Sequence, residues 1–290
     1  MALAAFFCAS CSRYLTLQGS EGYLAGPAIR DYQPENLVEE HLYPCSVPGP
    51  ENRRMIVYLP RDYYESGINY PVLYLLHGAR GYETAWIRKG QVYQSTDSLW
   101  RNGLAKPCII VMPNINQYND EKDYDGGRYK NAWESIWEID GKAEWSFVKD
   151  VVEYVDNHYR TIPDKEHRAI AGLSVGGIQS IYFGANSPDV FGWIVAMSPY
   201  FQFKGKHHAY YHAFYDNLYD KMAVEFGENP PCGYFLFAGK NDLARPKTLK
   251  HHRYMEKMGY PHSYEQYPGS HNWKGCWIPE YRDILPKLFN

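Results

Sequence analysis

Short apolar runs recur along most of the chain and are separated by segments of mixed polarity. These runs lie at 55–59, 72–76, 109–112, 169–173, 193–197 and 234–238. Continuous apolar runs of this length are typical of strands that are buried on both faces, as in a mostly parallel sheet covered by helices. A last strand is predicted at 262–267, where the alternation is more polar.

Helical spacing appears between the predicted strands. Phe147, Val151 and Val155 fall on one face of a helix, and Asp150 and Glu153 fall on the other. Further helices are predicted at 178–185, at about 246–258 and at 277–288. Because strands and helices alternate along the chain, the pattern predicts the α/β class, with helices on both faces of one central sheet.

The domain organisation predicted from this pattern is simple. The alternation favours a single α/β domain over 41–290, preceded at 12–40 by a tether or an irregular lead-in strand. No internal repeat or long linker divides the predicted domain. The oligomeric state stays open.

Residues 1–11 are apolar or small and carry no charge. They resemble the apolar part and cleavage site of a signal segment, and Cys8-Ala9-Ser10-Cys11 resembles a lipobox, in which the final cysteine is lipidated. This pattern predicts an exported chain, periplasmic, secreted or anchored to a membrane only through lipid on Cys11. A cytoplasmic chain with a loosely packed N-terminus is the alternative.

The charge balance and the cysteine spacing argue against nucleic-acid binding and against a zinc site. The chain has 30 basic and 33 acidic residues, a formal net charge of −3, so the basic surface of a nucleic-acid-binding protein is not expected. If Cys8 and Cys11 belong to a signal, Cys45, Cys108, Cys232 and Cys276 remain, and they could be bridged or could be buried thiols. Their spacing fits no zinc motif, and neither a metal nor a cofactor is predicted.

The sequence Gly172-Leu173-Ser174-Val175-Gly176-Gly177 lies between a predicted strand and a predicted helix. A serine flanked by glycines in this context is typical of a nucleophile elbow, a turn too tight for bulky neighbours. The turn raises the serine hydroxyl above the sheet at a helix N-terminus, where negative charge is favoured. We therefore predict that Ser174 is a catalytic nucleophile.

A serine nucleophile needs a base and an acid, which in this fold follow it in the order serine, acid, histidine. His271 is the expected base because it lies in a loop after the last predicted strand. Asp242, after the penultimate strand, is the expected acid, which would orient the imidazole. The histidines near residue 210 have helical spacing without a further ligand and are interpreted as solvated surface: His207, His208 and His212.

Two backbone N–H groups are the predicted donors to an oxyanion. One belongs to Val175, which follows the nucleophile. The other belongs to Ala79, in the glycine-rich segment His77-Gly78-Ala79-Arg80-Gly81 after the strand at 72–76. His77 itself is interpreted as a structural hydrogen-bonding residue.

Aromatic residues make up 17% of the chain and concentrate in two segments outside the alternation, 114–143 and 200–225. Long connections at the strand ends of a parallel sheet usually carry function, although packed surface loops are the alternative. The predicted substrate-binding residues come from these segments: Tyr118, Trp133, Trp137 and Tyr200.

Four motifs together resemble one family. They are YPVLYLLHG at 70–78, YRT at 159–161, RAIAGLSVGG at 168–177 and SHNW at 270–273. The chain resembles the esterase-D-like α/β-hydrolases, which include the feruloyl and acetylxylan esterases of carbohydrate esterase family 1. The likeness runs from about residue 53 to residue 288, and it places the family's nucleophile, acid, base and oxyanion donors on the residues predicted above.

The resemblance implies a serine carboxylic-ester hydrolase that acts through an acyl-enzyme. For an exported chain with aromatic loops, feruloyl or acetyl esters of plant cell-wall polysaccharide are the expected substrates. Siderophore-ester hydrolysis, thioester hydrolysis and acyl transfer are alternatives within the family. A non-catalytic carbohydrate-binding descendant of the fold is the alternative of another class.

Overall fold

The computed structural model describes residues 35–46, 52–79, 81–115, 146–200, 218–220 and 222–290, and the backbone of the short strand β1, Tyr14–Leu15. Its centre is a nine-stranded sheet in the order β1-β2-β3-β5-β4-β6-β7-β8-β9. The remaining strands are β2, Leu37–Pro44; β3, Asn52–Leu59; β4, Val72–Leu76; β5, Ile109–Pro113; β6, Arg168–Leu173; β7, Trp193–Met197; β8, Gly233–Gly239; and β9, Ser263–Tyr267.

The sheet is parallel from β5 to β9, whereas β3 pairs antiparallel with both β2 and β5. Strands β4, β5, β6 and β7 are buried at every position. The sheet has a hydrophobic core on each face, and alternate residues of one strand pack into opposite cores. Val72 and Tyr74 pack on one face, and Leu73 and Leu75 pack on the other.

Helices cover both faces of the sheet. The structure has α1, Tyr63–Ser66; α2, Ala85–Arg88; α3, Val92–Arg101; α4, Glu153–His158; α5, Val175–Asn186; α6, Arg245–Met258; and α7, Ile278–Ile284. Wider π-helical turns at Phe147–Val152 and Trp273–Trp277 lead into α4 and α7, and residues 222–228 are also helical. Segments from α4, α5 and α6 pack in one core, and α2, α3 and α7 in the other.

The predicted α/β class, with a mostly parallel sheet between two layers of helices, is confirmed. The N-terminal boundary differs, because β2 lies across the predicted start of the domain at residue 41 and pairs along its length with β3. Asp97 of α3 ties down the residues before β2 by accepting from the Glu35 N–H at 2.9 Å and from Asn36. Residues 12–40 are thus not wholly a tether.

The N-terminal and cysteine predictions are only partly covered by the structure. Residues 1–13, with the lipobox-like segment, lie outside the described residues. Cys45, Cys108, Cys232 and Cys276 are all free thiols. Among the described residues, no helix is both long enough and apolar enough to cross a membrane.

Candidate active site

Ser174 occupies the turn between β6 and α5, with φ 55° and ψ −112°. This left-handed backbone conformation is uncommon outside glycine and marks local strain. The turn closes because two neighbours lack a Cβ: a Cβ on Gly172 would lie 2.4 Å from the carbonyl of Gly176, and one on Gly176 would lie 2.4 Å from the His77 carbonyl. The structure therefore has the strand–turn–helix geometry that the glycine pattern predicts.

The backbone of Ser174 is held by the segment that follows the neighbouring strand β7. Its N–H donates to the Met197 carbonyl at 2.9 Å, and its carbonyl accepts from the Tyr200 N–H at 3.0 Å. With only 7% of the residue exposed, the serine is accessible on one side only.

The side chain of Ser174 begins a chain of hydrogen bonds. Nε2 of His271 lies 2.9 Å from the Ser174 Oγ, and Nδ1 of His271 lies 2.9 Å from Oδ1 of Asp242. The three residues come from loops after β6, β8 and β9, whose carboxyl ends meet at one edge of the parallel sheet. The structure thus brings together the three residues predicted as nucleophile, acid and base.

Asp242 is fixed by its own turn. Its Oδ1 also accepts from the Ala244 N–H at 2.7 Å, and its side chain is fully buried. Burial raises the pKa of this carboxyl, but His271, Ser198 and the Ala244 N–H together hold the pKa below its usual value. Asp242 is therefore an ionised acceptor at neutral pH, suited to orient an imidazole.

Aromatic rings surround the imidazole of His271. Trp277 meets it edge to face with ring centroids 4.9 Å apart, and Tyr200 lies at 6.0 Å. Trp273 and Trp86 continue the contact behind Trp277 by further edge-to-face pairs. This packing restricts the ring to an orientation in which both nitrogens reach their partners.

The two predicted oxyanion donors lie at the same edge of the sheet. The N–H of Val175 is the first of α5 and so has no acceptor within the helix. Ala79 follows Gly78, and a Cβ on Gly78 would lie 3.3 Å from the Ser174 Cβ, which shows how closely this loop approaches the serine.

His77 holds the loop that carries Ala79. Its Nε2 accepts from the Ile115 N–H at 3.0 Å, and its Nδ1 therefore donates to the Gly78 carbonyl at 2.8 Å. Burial lowers the pKa of His77 to about 4, so the ring is neutral at physiological pH. Both nitrogens serve the backbone, in agreement with the structural role predicted for His77.

Other predicted positions are only partly covered. Of the predicted substrate-binding residues, Tyr200 is partly exposed beside His271, whereas Tyr118, Trp133 and Trp137 lie outside the described residues, as do His207, His208 and His212. Within the described part of the chain, no three His, Cys, Asp or Glu side chains form a group that could hold a metal ion.

Sequence reasoning missed three groups near the site. Ser198 faces Asp242, Trp277 packs on His271, and Glu280 is buried close enough to Asp242 for the two charges to interact. Trp277 could have been found from its position on the helix after His271, but nothing in the residue types of Ser198 or Glu280 signals their surroundings.

Comparison with known proteins finds esterases among the relatives of this chain. A relative from Xylanibacter ruminicola, an endo-1,4-beta-xylanase/feruloyl esterase, is 32% identical over 141 residues, which is 47% of this chain and 18% of the relative. A second relative, an esterase from Mycobacterium tuberculosis, is matched over 25% of its length. The chain therefore spans about a quarter or less of these relatives.

Solved structures match over a larger share. A ferulic acid esterase is 26% identical and superposes with a TM-score of 0.69 over 88% of this chain and 98% of the other. The family 1 ferulic acid esterase of Anaeromyces mucronatus, solved with ferulic acid, is 23% identical, with a TM-score of 0.65 over 88% and 91% of the two chains. The α/β-hydrolase fold predicted from the sequence is confirmed.

The family match covers nearly the whole described domain. The model of the Esterase family, described as "Putative esterase", matches residues 48–288, which include β3 to α7 and all three residues of the hydrogen-bonded chain. Since this match spans well over half of the sequence, the protein belongs to the Esterase family.

Proposed function

We propose that this protein is a serine carboxylic-ester hydrolase in which Ser174, His271 and Asp242 are the catalytic residues. The observation that carries the proposal is the unbroken chain of contacts from Ser174 Oγ through both nitrogens of His271 to Asp242, each 2.9 Å long. A serine hydroxyl becomes a useful nucleophile when a base accepts its proton and an acid orients that base.

The proposed reaction has two halves. His271 Nε2 takes the proton from Ser174, whose oxygen attacks the ester carbonyl, and the oxyanion accepts hydrogen bonds from the N–H groups of Val175 and Ala79. The tetrahedral intermediate then expels the alcohol, which receives the proton from His271, and leaves an ester on Ser174. A water molecule, deprotonated by His271, releases the acid and restores the serine.

The proposed substrates are feruloyl or acetyl esters of plant cell-wall polysaccharide. The Xylanibacter ruminicola relative, an endo-1,4-beta-xylanase/feruloyl esterase, supports this choice, as does the aromatic side chain of Tyr200 at the partly exposed edge of the site. Tyr200 lies beside His271, where it can contact an acyl group bound to Ser174. A location outside the cytoplasm and a lipid anchor at Cys11 stay predictions from the first eleven residues.

The test compares hydrolysis of methyl ferulate and p-nitrophenyl acetate by the wild-type protein and by Ser174→Ala. We expect turnover of both esters, reduced at least about a thousandfold in the variant, because the oxyanion donors alone provide little rate. Ser187→Ala, a substitution past the far end of α5, is the matched control and should keep wild-type rates.

The outcomes separate the parts of the proposal. Turnover of the acetate alone would keep the serine esterase but replace the feruloyl substrate by a small acyl group. Near-wild-type turnover in Ser174→Ala would contradict the assignment of the nucleophile. A folded wild-type protein that hydrolyses neither ester would contradict the proposed substrates and favour the siderophore-ester, thioester or binding alternatives.

A further inference from the structure

Ser198, directly after β7, has a backbone that does not suit a serine. Its φ is +49°, in the left-handed region, and the residue is completely buried. Glycine adopts this conformation without steric cost, whereas any residue with a Cβ is strained there. The serine at this position therefore carries a backbone strain that glycine would not.

The backbone around Ser198 links two parts of the candidate site. Its N–H donates to the Phe237 carbonyl of β8 at 2.8 Å, and β8 leads into the turn that carries Asp242. Met197, directly before it, and Tyr200, two residues after it, bond the backbone of Ser174. Ser198 is thus held rigidly between the strand of the nucleophile and the strand of the acid.

The carboxylate of Asp242 uses only one of its two oxygens in hydrogen bonds of ordinary geometry. Oδ1 of Asp242 accepts from the His271 side chain and the Ala244 N–H, at 2.9 and 2.7 Å. Among the described residues, the buried Oδ2 and the buried Ser198 Oγ each lack a hydrogen bond of ordinary geometry. They are nevertheless near enough that Ser198 helps to hold the pKa of Asp242 down against the effect of burial.

We propose that Ser198 is a positioning residue whose hydroxyl donates to Oδ2 of Asp242 during turnover and so keeps Oδ1 directed at His271. The proposal rests on the function proposed above for these residues. The terminal torsion of an aspartate is soft, so bonds to Oδ1 alone leave the carboxylate free to rotate about that torsion. A buried donor on Oδ2 removes that freedom and stabilises the negative charge that orients the imidazole.

Other titratable groups around Asp242 bear on any test of its pH dependence. The neighbours whose charges reach Asp242 are Cys276, Glu280 and Tyr264, besides His271 itself. Burial raises the pKa of Cys276 to about 12 and raises the pKa values of Glu280 and Tyr264 above their usual ranges. Because the pKa of Glu280 is raised toward neutral pH, the pH profiles of the Ser198 variants are measured in a Glu280→Gln background.

The experiment compares Ser198→Gly with Ser198→Ala. Glycine removes the hydroxyl and the backbone strain, whereas alanine removes only the hydroxyl. We expect both variants to lower kcat for p-nitrophenyl acetate about tenfold or more, with KM little changed, because a hydrogen bond to a buried carboxylate is lost. The acid limb of the pH profile should move to higher pH in both, since a carboxylate with one donor fewer holds the imidazolium more strongly.

Thermal unfolding separates positioning from a structural role. Ser198→Gly should unfold at a higher temperature than Ser198→Ala, although the two lose kcat equally. Ser95→Ala is the matched control: Ser95 is also buried, but its Oγ accepts from Arg282 of α7, so kcat should stay at the wild-type value. Wild-type kcat and pH profile in both Ser198 variants, or a loss of kcat that follows stability, would overturn the proposal.

An NMR measurement that needs no turnover separates the role proposed for Ser198 from the proposed esterase function. In the Ser174→Ala background, NMR titration of the His271 ring should give a higher midpoint when Ser198→Gly is added. If that shift occurs but the wild type hydrolyses no ester, the proposed function fails and the positioning contact stands. An unchanged midpoint overturns the positioning role, whatever the wild-type activity.

Discussion

The carboxylate of Asp242 is fully buried and still has a lowered pKa. Burial alone would raise the pKa, but donors from His271, Ser198 and the Ala244 backbone outweigh it. An ionised Asp242 keeps a proton on Nδ1 of His271, and Nε2 is then free to accept the proton of Ser174. At the scale of single residues, the proposed catalysis depends on which nitrogen of one imidazole carries a proton.

Asp242→Asn tests this arrangement with almost no change of shape. The amide can donate to Nδ1 and so favours the imidazole tautomer that cannot act as a base, and kcat should fall by about 10⁴-fold while the protein stays folded. The measurement is p-nitrophenyl acetate turnover, with circular dichroism to verify folding. Asp189→Asn, at an exposed position, is the control and should keep the wild-type rate. A near-wild-type rate in Asp242→Asn would assign the acid to another residue.

The residues that sequence reasoning found are those that a local pattern marks. Ser174 is marked by glycines on both sides, and Asp242 and His271 by their order after strand ends. Ser198 carries no such mark, because its importance comes from a positive φ and from a strand neighbour distant in sequence. Glu280 reads as a surface helix residue, and only the packed structure shows it buried.

At the scale of elements, the turn from β6 into α5 depends on close backbone packing. A Cβ on Gly176 would lie 2.4 Å from the His77 carbonyl and 3.0 Å from the Leu76 Cβ, and backbone atoms have little room to move. The same contact joins the turn of Ser174 to the loop that bears Ala79. The nucleophile and the predicted oxyanion loop are therefore one packed unit.

Gly176→Ala should consequently destabilise the protein and lower esterase activity in whatever folded fraction remains, because the two loops are forced apart. Gly227→Ala is the matched control, since a Cβ there meets nothing within 4 Å and the residue is helical. In the control we expect unchanged activity and equal or slightly higher stability. Thermal unfolding and turnover measure both, and a Gly176→Ala protein equal to the control would contradict the packing argument.

The sequence pattern fails to predict a helix and a strand that bury polar residues. Helix α3 has an apolar face but also buries Ser95, Thr96 and Asp97, so its helical pattern is weak in the sequence. Strand β2 buries Glu39 and Glu40 in succession, which breaks the alternation expected of a half-buried strand. Glu39 is accommodated because Tyr159, Tyr64 and His41 bond its carboxylate, and the two tyrosines are remote from it in sequence.

At the scale of the whole molecule, buried titratable groups set a pH range for stability. Burial lowers the pKa of His77 to about 4 and that of His251 to about 3, from an ordinary 6.5. Below pH 6.5 the unfolded chain takes up protons at these histidines and the folded chain does not, so stability falls as the pH falls. Glu280 acts in the opposite direction, because burial and then the charge of Asp242 raise its pKa well above 4.5.

Glu280→Gln tests the alkaline side of this range. Folded Glu280 keeps a proton that the unfolded chain releases above pH 4.5, so wild-type stability should lose about 1.4 kcal/mol per pH unit until the folded carboxyl also ionises. Glutamine has no such proton, and the stability of the variant relative to wild type should rise with pH. Urea unfolding from about pH 5 to about pH 8 measures the difference.

The control for this comparison is Glu228→Gln, an exposed position at the end of the helical segment 222–228, where no change of slope is expected. Parallel curves for wild type and Glu280→Gln would show that Glu280 titrates as an ordinary surface carboxyl. That result would contradict the burial described for α7 and its place beneath Asp242.

Covalent labelling is the most direct test of whether Ser174 is an activated nucleophile. The protein is incubated with a fluorophosphonate, digested and mapped by mass spectrometry, in parallel with Ser174→Ala and with His271→Ala. We predict one phosphonyl group on Ser174 of the wild type, lost with esterase activity, no label in Ser174→Ala and much slower labelling in His271→Ala. A wild type that hydrolyses esters without a label at Ser174, or that is labelled at another serine, would contradict the account.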